Sequence, residues 1–157
     1  MIREPMKHLE LRRHAVRDPA RDALSAAGRA QAQALGAASA ATYDRVFVSP
    51  ASRAAETAAW VLRGAGTQLP EHAVVPGLGG QGPDGGSAAG MAAGVRALLD
   101  RVPVGGRALA ISHTPLVERA AEGLGHTIEP VSECEGILVT QHDDGRLEVV
   151  ELRDVPS

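Results

Sequence analysis

Short apolar segments alternate with longer alanine-rich segments along most of this 157-residue chain. The segment Arg45–Val48 is β-branched and aromatic, which favours a strand, and residues 52–62 have the composition of a helix. Strands that alternate with helices form a mainly parallel sheet with helices on both faces. Because a chain of this length needs only one domain, we predict a single three-layer α/β domain over residues 1–157. Its mostly parallel central sheet should have about five or six strands.

Further elements are predicted from the same alternation. We expect strands at residues 9–11, 73–75 and 107–111, and helices at residues 24–36, 88–101 and 115–124. Ser25 is the expected N-cap of the first helix, and Gly36 is expected near its end. Residues 136–141 and 146–151 flank an Asp-Asp-Gly turn, which predicts a closing hairpin.

Residues 76–87 interrupt this pattern, because they contain six glycines and two prolines. So many helix and strand breakers disfavour regular structure. We predict a loop that borders the functional site and is among the most mobile segments of the chain.

Composition limits the partners of the chain. The formal net charge of −3 gives no overall positive field that would attract nucleic acid. The sequence has neither an apolar N-terminal signal segment nor a stretch of about 18 apolar residues, which predicts a cytoplasmic protein without a membrane partner. The single cysteine, Cys134, stands between Glu133 and Glu135 and is expected to be structural. No spacing of histidine or cysteine is typical of a metal site, so neither a metal nor another cofactor is expected.

Residues suited to phosphate binding follow three of the predicted strands. Arg13 and His14 end the first strand, and Arg53 follows the second. His113 and Thr114 come directly after the fourth. Because ligands bind beyond the carboxyl ends of parallel strands, these side chains should converge on one edge of the sheet. A neutral histidine can attack phosphorus while arginines bind the non-bridging oxygens, and the Thr114 N–H at a helix start adds a donor.

Three motifs in this order resemble the histidine phosphatase superfamily, which also contains the phosphoglycerate mutases. They are Arg-His at residues 13–14, Ser-Pro-Ala-Ser-Arg at 49–53 and Ser-His-Thr at 112–114. The resemblance spans roughly residues 7–152, and the short chain is most similar to small phosphohistidine phosphatases of the SixA type. It implies that His14 is the phosphorylated nucleophile. It also implies a phosphate pocket formed by Arg13, Arg53 and His113.

The chain departs from the superfamily pattern at three positions. Ala15 stands where a glycine usually follows the nucleophile, and Ala20 stands where larger relatives have a phosphate-binding asparagine. Many relatives carry a glutamate general acid in the loop after the third strand, where this chain offers Gln81 and Asp84. Asp84 is therefore the candidate general acid. The alternative is a turn role within Pro-Asp-Gly.

The missing glutamate favours a phosphohistidine substrate, because an imidazole leaves more readily than an alkoxide and needs less protonation. We therefore expect a phosphohydrolase that acts on a phosphorylated protein. Two alternatives stay open: a phosphomonoester phosphatase acting on a small phosphorylated metabolite, and a non-catalytic phosphate-binding module. A phosphoglycerate mutase is disfavoured by the short chain and by the missing glutamate.

Overall fold

The computed structural model describes residues 5–39, 41–67, 71–82 and 84–156. Within these ranges, six strands form one sheet: β1 (Lys7–Arg13), β2 (Arg45–Val48), β3 (His72–Val74), β4 (Arg107–Ser112), β5 (Gly136–Gln141) and β6 (Leu147–Leu152). Four α-helices pack on it: α1 (Ala26–Ser39), α2 (Ser52–Ala65), α3 (Ala88–Asp100) and α4 (Leu116–Gly123).

The sheet is mostly parallel and has the strand order β3-β2-β4-β1-β5-β6. β4 pairs in parallel with both β1 and β2, and β3 pairs in parallel with β2. β5 runs antiparallel to β1 and β6, so the predicted hairpin closes one side of the sheet. The predicted fold class is confirmed: the chain forms a single α/β domain. Because β1, β2 and β4 are parallel, their carboxyl ends lie at the same edge.

Helices cover both faces of the sheet, as the alternation of elements predicts. Ala108 and Ala110 of β4 pack with α3 and α4, whereas Leu109 and Ile111 pack with α1 and α2. This arrangement follows from the two-residue period of a strand. All four side chains are fully buried, and burying a leucine or isoleucine stabilises the fold by about 1.5–3 kcal/mol. The carboxyl edge therefore rests on a close-packed core.

Two glycines set the distance between α1 and α2. A Cβ on Gly36 would lie 1.9 Å from the carbonyl oxygen of Val61, and a Cβ on Gly64 would lie 1.9 Å from that of Gln33. α1 ends at Ser39, three residues beyond Gly36, and Gly36 itself serves close packing with α2. The contact holds the C-terminal half of α2 against α1.

α2 also extends three residues beyond its predicted end, to Ala65, whereas α3 ends within one residue of the prediction. Ser25 caps α1 as predicted, since the Gly28 N–H donates to its Oγ at 3.0 Å. The helix predicted at residues 115–124 is shorter, because α4 runs from Leu116 to Gly123. No helix in the described ranges is long and apolar enough to cross a membrane.

The glycine-rich segment after β3 is more regular than predicted. Pro76–Gly79 forms a 3₁₀ helix that ends at Gly80, whose φ is 79°. Gly85 and Gly86 also have positive φ, a conformation that residues with a Cβ rarely adopt. Pro83, within the predicted loop, lies outside the described residues. The mobility expected of this segment stays a prediction.

Candidate active site

A cavity of about 520 Å³ opens at the carboxyl edge of the sheet. Its lining includes all five residues predicted to attack or bind phosphate: Arg13, His14, Arg53, His113 and Thr114. The other lining residues come from the same strand ends and from the glycine-rich loop: Arg17, Ser49, Pro50, Ala51, Gly79, Gln81, Pro115 and Leu116. The parallel pairing of β4 with β1 and β2 brings these separated motifs together.

His14 presents an unprotonated nitrogen to this cavity. Its Nδ1–H donates to the Ala15 carbonyl oxygen at 2.7 Å, and its Nε2 accepts from Arg53 Nε at 3.3 Å. Burial lowers the pKa of His14, and the nearby arginines lower it further, although the hydrogen bond to Ala15 opposes them. The ring is therefore neutral at pH 7, and Nε2 carries the lone pair that a nucleophile needs.

His113 lies beside His14, with ring centroids 5.2 Å apart and ring planes at 64°. The Nε2 of His113 is 2.7 Å from Ser49 Oγ, and its Nδ1 is 3.4 Å from Arg53 Nη2. Burial and then the charge of Arg53 lower the pKa of His113 to about 4. His113 is therefore neutral at pH 7 in this structure.

Asp22 fixes the guanidinium group of Arg53. Its Oδ1 accepts from Arg53 Nη1 at 2.9 Å and from the Arg53 backbone N–H at 3.1 Å, and its Oδ2 accepts from the Ser52 N–H at 2.8 Å. Desolvation raises the pKa of Asp22, but these hydrogen bonds outweigh it and lower the pKa to about 2. Sequence reasoning missed Asp22, because a lone aspartate in a loop carries no local signal of a partner 31 residues away.

Asp22→Asn is expected to lower kcat/KM about tenfold, because the guanidinium of Arg53 loses its charged anchor. Asp18→Asn is the matched control from the same loop. The Asp18 carboxylate accepts from the N–H groups of Ala20 and Arg21. Its replacement by asparagine should leave kcat/KM unchanged. Steady-state kinetics on a phosphoramidate, with thermal unfolding measured in parallel, would test both variants. Equal losses in the two variants would contradict a positioning role for Asp22.

Arg13 and Thr114 line the cavity but also bond to neighbouring segments. Arg13 Nη1 donates to the Val131 carbonyl oxygen at 3.1 Å, and Arg13 Nη2 lies 3.7 Å from Glu133. The Thr114 hydroxyl donates to the Glu118 carboxylate. The sequence places Thr114 at a helix start, yet α4 begins two residues later, so the Thr114 N–H lies ahead of the helix.

The structure does not bring Asp84 to this cavity. Asp84 lines a separate pocket of about 140 Å³ between the glycine-rich loop and α3, together with Leu78, Met91 and Val95. Gln81 lines both pockets. Among the described residues, no aspartate or glutamate lines the larger cavity, and its charged side chains are arginines. A general-acid role for Asp84 conflicts with this placement.

The thiol of Cys134 takes no part in the site. Its side chain is fully buried, and burial raises the pKa of its thiol to about 12, so the thiol stays protonated. The structural role predicted for Cys134 agrees with this environment. Over the described parts of the chain, no three His, Cys, Asp or Glu side chains cluster as a metal site would require.

Two further residues, for which the sequence predicted no role, lie at the site. Thr57 Oγ1 accepts from the Ala15 N–H at 3.0 Å and donates to the Arg53 carbonyl oxygen at 2.8 Å, which ties the loop after His14 to α2. Arg17 adds a third guanidinium to the cavity lining. Both follow within a few residues of the recognised motifs, and that proximity is the signal that could have identified them.

Comparisons with known proteins agree with this geometry. A sequence model of the histidine phosphatase superfamily (branch 1) matches residues 11–78, which include His14 and Arg53. The chain is similar to the structure of the protein histidine phosphatase SixA complexed with tungstate, at 26% sequence identity and a TM-score of 0.71. That match covers 93% of this chain and 96% of the SixA chain. No curated protein matches the chain significantly.

Two structures of lower identity share the fold. Phosphoglycerate mutase from Bacillus anthracis str. Sterne is 18% identical, with a TM-score of 0.72, over 96% of this chain and 94% of that chain. The mycobacterial glucosyl-3-phosphoglycerate phosphatase is 17% identical, with a TM-score of 0.71, over 94% of this chain and 99% of that chain. A model of the histidine phosphatase superfamily matches part of the chain, including His14, and the fold is shared with SixA over almost the whole chain, so the chain is similar to phosphatases of that superfamily.

Proposed function

We propose that the enzyme removes phosphate from a phosphorylated histidine of another protein, through a covalent phosphohistidine at His14. One observation carries this proposal. The cavity combines a neutral His14 Nε2 with three arginines, and no carboxylate among the described residues lines it. The site can therefore supply a nucleophile and positive charge, but no carboxylic acid to protonate a leaving group.

The reaction then proceeds in two displacements. His14 Nε2 attacks phosphorus of a phosphohistidine whose other ring nitrogen carries a proton, the bond from phosphorus to the substrate ring breaks, and the electron pair of that bond leaves with the ring as neutral imidazole. A water molecule next attacks phosphorus, the bond to Nε2 breaks, and inorganic phosphate is released. Arg53 and Arg13 would bind the non-bridging oxygens, with His113 and the Thr114 N–H as further donors, because charge spreads over those oxygens in the transition state.

The substrate class follows from the leaving group. An alkoxide needs a proton as it departs, whereas a phosphohistidine releases an imidazole, which is far less basic. A cavity lined by arginine and histidine suits the second kind of substrate. The similarity to SixA, a protein histidine phosphatase, supports the same conclusion. The cytoplasmic location expected from the sequence stays a prediction.

A small-molecule phosphomonoester is the second candidate substrate. The cavity volume of about 520 Å³ favours it, because pockets for small molecules commonly measure about 300–1,000 Å³. The fold shared with a glucosyl-3-phosphoglycerate phosphatase fits this alternative. Both candidates use the same nucleophile and phosphate pocket, so they differ in leaving group alone.

A substrate panel would separate the two candidates. We expect kcat/KM to be highest for a phosphohistidine protein and a phosphoramidate. Among aryl phosphates, kcat/KM should fall steeply as the pKa of the leaving phenol rises, because no acid assists its departure. A sugar or nucleotide phosphate turned over faster than the phosphoramidate would instead establish the small-molecule candidate.

Asp84→Asn completes this panel as a test of the candidate general acid. Because Asp84 lies in a separate pocket, its replacement should leave kcat/KM unchanged for both monoester and phosphoramidate. Loss of a general acid would instead slow monoester hydrolysis by about 10²–10⁴-fold and spare the phosphoramidate. A loss confined to the monoester would show that Asp84 acts as the general acid.

A further inference from the structure

Arg17 differs from the other two arginines of the cavity in its charge balance. Arg53 Nη1 lies 2.9 Å from Asp22 Oδ1, so a carboxylate neutralises that guanidinium. Arg13 Nη2 lies 3.7 Å from Glu133 Oε2 and has a weaker counter-charge of the same kind. Among the described residues, no carboxylate forms an ion pair with Arg17, although its side chain lines the same cavity. Its positive charge is therefore left for a ligand to balance.

Uncharged backbone groups hold the Arg17 guanidinium in place. Its Nε donates to the Asp18 carbonyl oxygen at 3.2 Å, and its Nη2 donates to the Arg21 carbonyl oxygen at 3.1 Å. The loop that supplies these carbonyls is closed at its base, where Arg17 and Leu24 form an antiparallel bridge. A guanidinium has five N–H donors, and these two contacts use two of them. The remaining donors are available to an anion in the cavity.

The depth of each residue in the cavity indicates which part of a substrate would meet Arg17. His14 lies at the buried end, with 6% of its surface exposed, whereas Arg17 is exposed at the opening. In phosphoryl transfer, the attacking and leaving atoms lie roughly in line with phosphorus. A phosphoryl group attacked by His14 Nε2 therefore directs its leaving group away from the buried end and towards the opening, where Arg17 lies.

We propose that Arg17 is a specificity-determining residue that binds a carboxylate of the leaving group, so that the preferred phosphohistidine protein carries an acidic side chain beside its phosphohistidine. This inference rests on the proposed function, because it describes the surroundings of the phosphohistidine that the same site would accept. A carboxylate matches the planar fork of a guanidinium and supplies the missing counter-charge. Small phosphorylated acids present the same chemistry, and matched aryl phosphates distinguish them from a protein substrate.

Three phosphohistidine peptides that differ in one residue test this inference. The residue next to phosphohistidine is glutamate, glutamine or lysine. Both kcat and KM are measured at pH 8, above the lowered pKa of His14, so that loss of the Arg17 charge does not change the protonation of that ring. In the wild type, KM should be about two- to fivefold lower for the glutamate peptide than for the glutamine peptide, and highest for the lysine peptide. The differences should shrink at high salt, because exposed ion pairs are screened.

Variants of Arg17 should change the order of the peptides. Arg17→Ala should raise KM for the glutamate peptide to that of the glutamine peptide, and Arg17→Glu should make the lysine peptide the best of the three. The ratio between peptides is the readout, because a general effect on phosphate binding cancels in it. Arg21→Ala is the matched control, since it removes a positive charge from the same loop but keeps the carbonyl that accepts from Arg17. The Arg21 side chain does not line the cavity, so this variant should keep the wild-type order.

The outcomes separate this inference from the proposed function. Equal KM values for the glutamate and glutamine peptides in the wild type, with both turned over, would overturn the role of Arg17 alone. An equal loss for all peptides and for phosphoramidate in Arg17→Ala would assign Arg17 to the phosphoryl group and would also overturn it.

Peptides that are not turned over would overturn the proposed function, and two aryl phosphates then test Arg17 by themselves. They are meta-carboxyphenyl phosphate and its neutral carbamoylphenyl analogue. A preference for the carboxylate that disappears in Arg17→Ala would support a carboxylate site that serves a small acid. The absence of such a preference, or of any turnover, would overturn the inference together with the proposed function.

Discussion

Replacing His14 by alanine is expected to abolish turnover of every phosphorylated substrate and all acid-labile phosphate labelling of the protein. His14 Nε2 is the lone pair that we propose attacks phosphorus, and its neutral state follows from burial and the neighbouring arginines. Removal of a nucleophile at comparable sites costs several orders of magnitude in kcat. Rapid-quench labelling with a radioactive phosphoramidate, together with steady-state kinetics, would measure the loss.

Two controls accompany this variant. His126→Ala removes an exposed histidine far along the chain and should leave labelling and kinetics unchanged. Circular dichroism should show that His14→Ala retains the fold, because the core is formed by apolar residues that this change leaves in place. Substantial activity remaining in folded His14→Ala would disprove the phosphohistidine mechanism, and absence of labelling in an active wild type would weigh against it equally.

The same nucleophile predicts the acid limb of the pH profile. Burial and neighbouring positive charge lower the pKa of His14, so Nε2 stays unprotonated below the ordinary titration range of histidine. In the free enzyme, kcat/KM should therefore hold as pH falls through that range and decline only as the lowered pKa is reached.

Arg53→Ala is expected to lower kcat/KM by about 10²–10³-fold while leaving slow phosphate labelling of His14 detectable. Arg53 Nε contacts His14 Nε2, and its Nη2 faces His113, so its guanidinium spans the space between the two rings. A charge-assisted donor in this place stabilises the transition state more than the ground state, so most of the loss should fall on kcat. Single-turnover kinetics would separate the labelling step from the hydrolysis step.

Arg63→Ala is the matched control for this arginine. Arg63 lies near the C-terminal end of α2, where its guanidinium is 5.0 Å from the centre of the Trp60 ring. Replacing Arg63 by alanine should leave kcat unchanged. Arg53→Lys keeps the positive charge but loses the planar fork, so its kcat/KM should lie between wild type and alanine. If the lysine variant matched wild type, charge alone would explain the contribution of Arg53.

Local pattern was sufficient for most of the fold. The β-branched run Arg45–Val48 forms β2 with the predicted bounds, and Ser25 caps α1, because these features depend on a few consecutive residues. The predictions fail where contact with a segment distant in the sequence determines the role of a residue. Gly36 has the local character of a helix end, yet it lies inside α1. A glycine is needed there because the backbone of α2 approaches it too closely for any side chain.

The candidate site shows the same difference between what local sequence predicts and what tertiary contacts determine. The residue types and order of Arg13, His14, Arg53 and His113 determine that phosphate chemistry is available, since each follows a predictable strand and carries a recognisable motif. Which atoms meet was decided only by the tertiary structure. The parallel register of β1, β2 and β4 puts His113 against Ser49, residues that are 64 positions apart in the chain. Protonation and positioning depend on such contacts, because hydrogen bonds and desolvation act through space and a linear pattern does not contain their distances.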